Sequence, residues 1–249
     1  GEIEESFYDT GNCFNYADIF QVPVIHMMDK FHASSVITCK RFDTEKISID
    51  RGLLLDKVED GYRRFEFTED GISPRSRLGM DNGIFWDTGD ESDETGHITE
   101  DPILRVKMMD KRMSRLELIL KRIPHEEQAV SFGIEDYTII SWGSTIGPVK
   151  DALDMLNKEG IAIGLIQLKL MHPFPAEYVS SLLKDAKTII DIEANHSGQL
   201  GKLFKQNIKR DVDYFILKYS GRAMTSTEVY DALKKIVQNK AEKREVLMH

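Results

Sequence analysis

The stretch TGDESDETGHITEDP, residues 88–102, gathers the carboxylates of Asp90, Glu91, Asp93, Glu94, Glu100 and Asp101 around a single histidine, His97. Such a set can hold a cation, pair with a basic partner or simply carry water. The spacing departs from the Asp-x-Asp-x-Asp-Gly loop with a terminal Glu that wraps calcium, so no metal is expected. Gly89 and Gly96 mark turns that give the segment a defined shape. An electrostatic contact with a basic partner and a solvated acidic loop are the readings that remain. His97 is the acid–base candidate of the loop because its ordinary pKa lies nearest neutral. A structural hydrogen bond to a loop carboxylate is the competing role.

A second candidate is FTEDGISPRSR, where Gly71 and Pro74 stiffen a turn expected to project Asp70, Ser73 and Arg75 together. Arg75 could there grip a carboxylate or phosphate with both arms of its fork, or else pair with Glu69 or Asp70 at the surface. GSTIGP, residues 143–148, follows a strand pattern and opens a helix pattern, a geometry able to receive phosphate. It lacks the Lys of a P-loop and the GxGxxG spacing, so its glycines read first as a tight turn. In HSGQLGKL, Ser197 is expected to cap a helix, while Gly198 and Gly201 allow close packing.

The elements that must position these residues follow from periodicity. Ile3, Phe7, Phe14 and Ala17 indicate a helix at the start, and the chain opens without Met, as a fragment of a longer polypeptide would. Val22 to Met28 reads as a buried strand ending at Asp29, and residues 40–66 as a connecting arm with a few edge strands. Residues 68–102 show neither period, and a structureless stretch of that length inside a compact domain is expected to be functional or disordered. From Pro102 a helix of about 20 residues is predicted, with Leu104, Met108, Met109, Met113, Leu116 and Leu120 on its packed face. Beyond residue 135, strand and helix patterns alternate four times, which predicts an α/β fold: a mostly parallel sheet with helices on both faces. The expected divisions are 1–40, 41–102, 103–134 and 135–249.

Composition narrows the function classes. The 249 residues carry a formal charge of -9, which disfavours nucleic acid and anionic membranes as partners. Cys13 and Cys39 are the two cysteines, too few for a structural zinc or a cysteine-ligated cluster, and are expected reduced and packed. With no apolar run near the roughly 20 residues that span a bilayer, a cytoplasmic protein is expected.

Several segments together carry a resemblance: GEIEESFYDTGNCFNYADIFQVPVIHMMDK, FTEDGISPR, TGDESDETGHITEDP with MMDKRMSRLE, TIISWGSTIGP, LKLMHPFP and DIEANHSGQLGKL. In this order they resemble the α subunit of archaeal-type 2-oxoacid:ferredoxin oxidoreductases, thiamine-diphosphate enzymes that oxidise 2-oxoacids to acyl-CoA. The last three also resemble the C-terminal domain of transketolase-like enzymes. The resemblance implies that residues 1–40 end a pyrimidine-binding domain and that 135–249 are transketolase-C-like. It implies a β subunit, ferredoxin and coenzyme A as partners in an oligomer, and thiamine diphosphate, Mg and an iron–sulfur cluster in the complete complex. The family's YPITP motif is absent from this sequence, as is the GDG motif that belongs to its β subunit. The chain alone is therefore expected to be inactive and to bind no cofactor. Its contribution would be scaffold and interface, with Asp70, Ser73, Arg75, Asp90, Asp93 and His97 at the active-site rim or subunit contact. A free-standing domain binding an anion or nucleotide through GSTIGP is the alternative, as is a noncatalytic assembly module.

Overall fold

A computed structural model describes residues 1–248. The chain opens with helix α1 (Ile3–Phe20), as the apolar spacing requires. Residues 22–28 do not form the expected strand: no strand pairs with them among the described residues, and Ile25 is 83% exposed. An apolar run becomes a strand only where a neighbour offers ladder hydrogen bonds, and none does here. The start of the chain therefore supplies helix without sheet. Asp29 instead caps the short helix α2 (Lys30–Ser34), accepting from the His32 amide at 2.8 Å.

Helix α3 (Pro102–Arg122) has the expected length, but its buried face differs. Met108, Lys111, Arg115 and Ile119 point inward, while Met109 and Met113 are exposed. The arm that packs on α3 presents backbone carbonyls, and cations with long apolar stems satisfy them where methionines would not.

Two compact units are formed by interleaved segments. One comprises residues 7–26 and 41–122, so the arm, the acidic loop and α3 belong together. The edge strands expected in the arm are absent; isolated bridges join Leu54 with Arg75 and Ser92 with Ile98. Side chains do the work of a ladder. Asn15 donates to the Ser48 carbonyl and accepts from the Asp50 amide, at 2.8 and 2.9 Å. The Tyr62 hydroxyl donates to the Pro74 carbonyl at 3.0 Å and accepts from the Ser76 amide at 2.9 Å. Phe20, Val58, Ile72, Met108 and Ile119 form the small buried apolar set beneath.

The other unit comprises residues 1–6, 27–40 and the chain from Ile123 onward. After the short helix α4 (His125–Gln128) come strands β1 (Ala129–Ser131) and β2 (Tyr137–Ser141), helix α5 (Ile146–Asn157), β3 (Gly164–Leu168) and α6 (Ala176–Leu182). β4 (Thr188–Glu193), α7 (Gln199–Ile208), β5 (Tyr214–Leu217), α8 (Ser226–Val237) and β6 (Arg244–Val246) complete it. The sheet order is β1-β3-β2-β4-β5-β6, with β1 antiparallel and every other pairing parallel. The expected neighbours β2 and β3 are parallel, with Ile139 opposite Leu165. One face packs Ile139, Leu165, Ile190 and Ile216 against α5 and α8; the other packs Ile140, Ile166 and Ile189 against α6 and α7. The near-continuous apolar runs that suggested strands are thus buried on both sides.

Ser197 does not cap α7. The Asn195 side chain accepts from the Ser197 and Gly198 amides, and the N-terminal amides of Leu200 and Gly201 go to Glu193 and Asp191 of β4. Gly201 does allow close packing: a Cβ there would lie 2.5 Å from Phe215 Cε1. Neither cysteine forms a disulfide, and Cys39 is exposed rather than packed, since its segment has no regular structure to cover it.

Candidate functional site

The acidic stretch folds back on itself. The Asp93 amide donates to the His97 carbonyl at 2.8 Å and the Thr99 amide to the Glu91 carbonyl at 3.0 Å, closing a short hairpin. At its tip Asp93 Oδ1 accepts from the Thr95 amide (2.8 Å), the Thr95 hydroxyl (2.6 Å) and the His97 amide (3.1 Å). These bonds, the Thr95 hydroxyl first, hold the Asp93 carboxyl below its ordinary range. Because the Thr95 proton goes to Asp93, the 2.7 Å contact between Thr95 Oγ1 and His97 Nδ1 requires Nδ1 to donate. The His97 ring thus bonds a hydroxyl while its amide bonds the loop carboxylate of Asp93, and the ring lies 5.4 Å from that of Trp86. Gly96, at φ 95°, sits against the Trp86 carbonyl where no side chain fits.

The anchor of the hairpin is Glu91, whose side chain is 9% exposed. Arg112 of α3 donates to both its oxygens, at 2.9 and 2.7 Å, and Arg105 reaches it at 3.1 Å. Hydrogen bonds from Arg112, against a smaller effect of burial, keep the Glu91 carboxyl low. Glu94 accepts from Arg63 and from the Phe67 amide, each at 3.0 Å. Asp90 is exposed, and among the described residues it bonds through its amide, to the Thr88 hydroxyl at 3.3 Å.

Beside the hairpin lies a cavity of about 230 Å³, lined by Gln21, Arg64, Phe65, Asp90, Glu91, Lys111, Arg112 and Arg115 among others. Lys111 donates to the carbonyls of Phe65 and Glu66 and to Ser73 Oγ, all at 2.6 Å. Burial, then the charges of Arg115 and Arg64, lower its pKa from 10.5 to about 8. Arg115 donates to the carbonyls of Gly71 (3.0 Å) and Gln21 (2.7 Å), and Arg64 to the Gln21 side chain (2.9 Å).

The other candidate turn does not hold together. Asp70 pairs with Arg122 at 2.9 Å; burial raises its pKa, but the Ile72 amide and Arg122 outweigh that and leave it lowered. Ser73 is buried against Lys111, with its hydroxyl donating to the Glu66 carbonyl at 2.8 Å. Arg75 pairs with Asp18 at 2.8 Å, not with Glu69 or Asp70. Among the candidates, Asp90 lines the cavity, Ser73 touches it through Lys111, and Asp70, Arg75, Asp93 and His97 serve contacts elsewhere in the unit. Arg64, Lys111, Arg112 and Arg115 escaped the sequence reading, and Glu91 was named there only as one of the loop's carboxylates. The only signal was the i, i+4 pair Lys111 and Arg115, a spacing that a solvated helix face shows equally well.

At GSTIGP the Ser144 amide donates to Asp29 Oδ2 at 3.1 Å. Burial raises the Asp29 pKa, but the His32 and Ser144 hydrogen bonds more than offset it. The chain's own carboxylate thus takes a place where a phosphate would have to bind, which argues against the free-standing nucleotide-binding alternative.

Two family models match this sequence: "Pyruvate flavodoxin/ferredoxin oxidoreductase, thiamine diP-bdg" over residues 1–111, and "Pyruvate:ferredoxin oxidoreductase core domain II" over 135–229. A 2-oxoacid:ferredoxin oxidoreductase α subunit of Aeropyrum pernix is 42% identical over all of this chain and 39% of its own length. The chain belongs to the 2-oxoacid:ferredoxin oxidoreductase α-subunit family. The α subunit of Saccharolobus solfataricus is 40% identical over 99% of this chain and likewise 39% of its own length. Among solved structures, the 2-oxoglutarate:ferredoxin oxidoreductase of Magnetococcus marinus with 2-oxoglutarate, coenzyme A and succinyl-CoA bound aligns with a TM-score of 0.81 and 30% identity. That alignment covers 90% of this chain and 39% of the other. The chain thus spans about two fifths of the α subunits it matches.

The thiamine-diphosphate assignment attaches to the family matched by the first region, residues 1–111. Among the described residues no group of three or more His, Cys, Asp or Glu is placed to hold a metal ion. No helix among them is long and apolar enough to cross a membrane.

Proposed function

We propose that this chain is the distal part of the α subunit of a thiamine-diphosphate-dependent 2-oxoacid:ferredoxin oxidoreductase, acting in the cytoplasm. Identity of 42% along the entire chain to such a subunit carries the reading. The enzyme decarboxylates a 2-oxoacid, passes the acyl group to coenzyme A and delivers two electrons to ferredoxin through an iron–sulfur cluster. Thiamine diphosphate and Mg are held largely by the β subunit. This segment contributes scaffold, subunit contact and the rim of the active site.

On this reading the hairpin 91–99 is a rigid mount rather than a catalytic element. Asp93 and His97 shape its tip, Asp70, Ser73 and Arg75 fasten the arm beneath it, and Asp90 is free to meet a basic residue of β. The test is reconstitution: the full-length α subunit containing this segment, coexpressed with its β subunit, should reduce ferredoxin in a reaction that requires both a 2-oxoacid and coenzyme A. No 2-oxoacid supporting reduction would overturn the assignment. Asp90→Asn in that complex should lower turnover; unchanged turnover would reduce the hairpin to a solvated loop.

A further inference from the structure

We infer that the cavity between α3 and the arm, walled by Arg64, Lys111 and Arg115, is a binding site for a dianionic phosphate or phosphate ester. The argument starts from unused donors. Arg115 is 8% exposed, yet only its Nε and Nη1 have acceptors among the described residues, leaving Nη2 without one. Arg64 lies over the rings of Phe65 and Phe85 at 5.1 and 5.8 Å and among the described residues donates through Nη1, to Gln21, leaving Nε and Nη2 without a protein acceptor there. Lys111 has spent all three N–H groups on protein oxygens and adds charge without a free donor.

Among the described residues no carboxylate forms an ion pair with Arg64, Lys111 or Arg115, although Asp87, Asp90 and Glu91 share the lining and Glu66, Glu94 and Asp70 act on Lys111 and Arg115 through space. Glu91 is shared by Arg105 and Arg112, and Asp87 and Asp90, both exposed, make no ion pair among the described residues. Burial, followed for each by nearby cations, lowers the pKa of Lys111 and Arg115; for Arg64 burial leads, and Asp87 acts in the opposite sense through space. Three neighbouring cations that repel one another, two of them with N–H groups still open to an incoming ligand, favour an anion beside them. Guanidinium forks match phosphate oxygens, and a dianion balances this triad better than a single carboxylate would. About 230 Å³ leaves room for the phosphate group with part of an ester. The inference concerns the unit built from residues 7–26 and 41–122 and does not depend on the oxidoreductase reading.

The experiment is isothermal titration calorimetry on the whole chain at fixed ionic strength and about pH 7.5, where phosphate monoesters are dianionic. Inorganic phosphate, methyl phosphate and acetate are compared. Both phosphates should bind at least about tenfold more tightly than acetate, the loss expected when a charged hydrogen-bonded contact is missing. Preference for methyl phosphate over the free ion would mark an ester as the natural ligand, and the reverse would mark free phosphate. Arg64→Gln should weaken phosphate about tenfold with circular dichroism unchanged. Arg64→Lys, which keeps the charge and loses the fork, should weaken it less and covers the case in which the first variant misfolds. Asp90→Asn should strengthen binding by removing a competing charge at the mouth. Acetate binding as well as phosphate, no phosphate binding, or unchanged affinity in both Arg64 variants would overturn the proposal.

Discussion

Glu91 receives both terminal nitrogens of Arg112, at 2.9 and 2.7 Å, so the acidic segment is tied to α3 by a two-pronged contact within the same unit. Arg112 is substantially exposed, which discounts the pair, whereas the shielded carboxylate raises it. Glu91→Gln should cost about 1 kcal/mol and speed hydrogen exchange at the amides of Asp93 and Thr99, which close the hairpin. Its carboxyl pKa is lowered in the folded state, so the contribution is present above the ordinary glutamate value and is lost as pH falls through the folded one. Unchanged exchange at both amides would show that the turn bonds alone hold the hairpin.

Lys111 sets three hydrogen bonds at 2.6 Å against burial and two neighbouring cations, and the second group wins. With its pKa lowered from 10.5 to about 8, the unfolded chain binds more protons between those values, so stability should rise with pH across that window. The full rise is on the order of 3 kcal/mol. Urea unfolding from neutral to alkaline pH should show it in the parent protein, and Lys111→Arg, which does not titrate there, should flatten it.

Asp191 is fully buried on β4, with Oδ2 accepting the Gly201 amide at 3.0 Å and Oδ1 without a partner. Burial first, then the Glu193 carboxylate, pushes its pKa well above 3.8. A proton retained on Asp191 gives it a hydrogen bond to offer the Glu193 carboxylate, which two ionised groups could not share. Its contribution to stability is greatest below 3.8 and is lost as pH rises through the raised folded value. Asp191→Asn should remove that decline, measured as the difference from the parent in urea unfolding over the acid-to-neutral range. Parallel pH profiles would mean that the carboxyl is already ionised in the fold.

Gly201 and Gly147 should respond to alanine in opposite directions. A Cβ at Gly201 would meet Phe215 Cε1 at 2.5 Å and Asp191 Oδ2 at 2.7 Å, while at Gly147 in α5 nothing lies within 4 Å. Gly201→Ala should destabilise by roughly 1–3 kcal/mol, and Gly147→Ala, in the first turn of α5, should stabilise by about 0.4 kcal/mol at most, through the lost freedom of the unfolded chain. Equal effects in thermal unfolding would contradict the close docking of α7.

The βα alternation after residue 135 was legible because burial on both faces of a parallel sheet writes itself into local apolar runs such as TIISW and TIIDIE. Helix α3 was legible from Pro102 and its period, and the family could be read from motifs kept in order. Which face of α3 turned inward was not, since Met109 and Lys111 are both compatible with a core whose partner surface is unknown. Only the tertiary structure brought Phe65, Glu66 and Ser73 against Lys111, from segments about 40 residues away. The same limit hid the partners of Asp70, Arg75 and Glu91. An ion pair between distant segments leaves no period in the sequence, because the chain fixes which charges exist while the packing of the arm decides which of them meet.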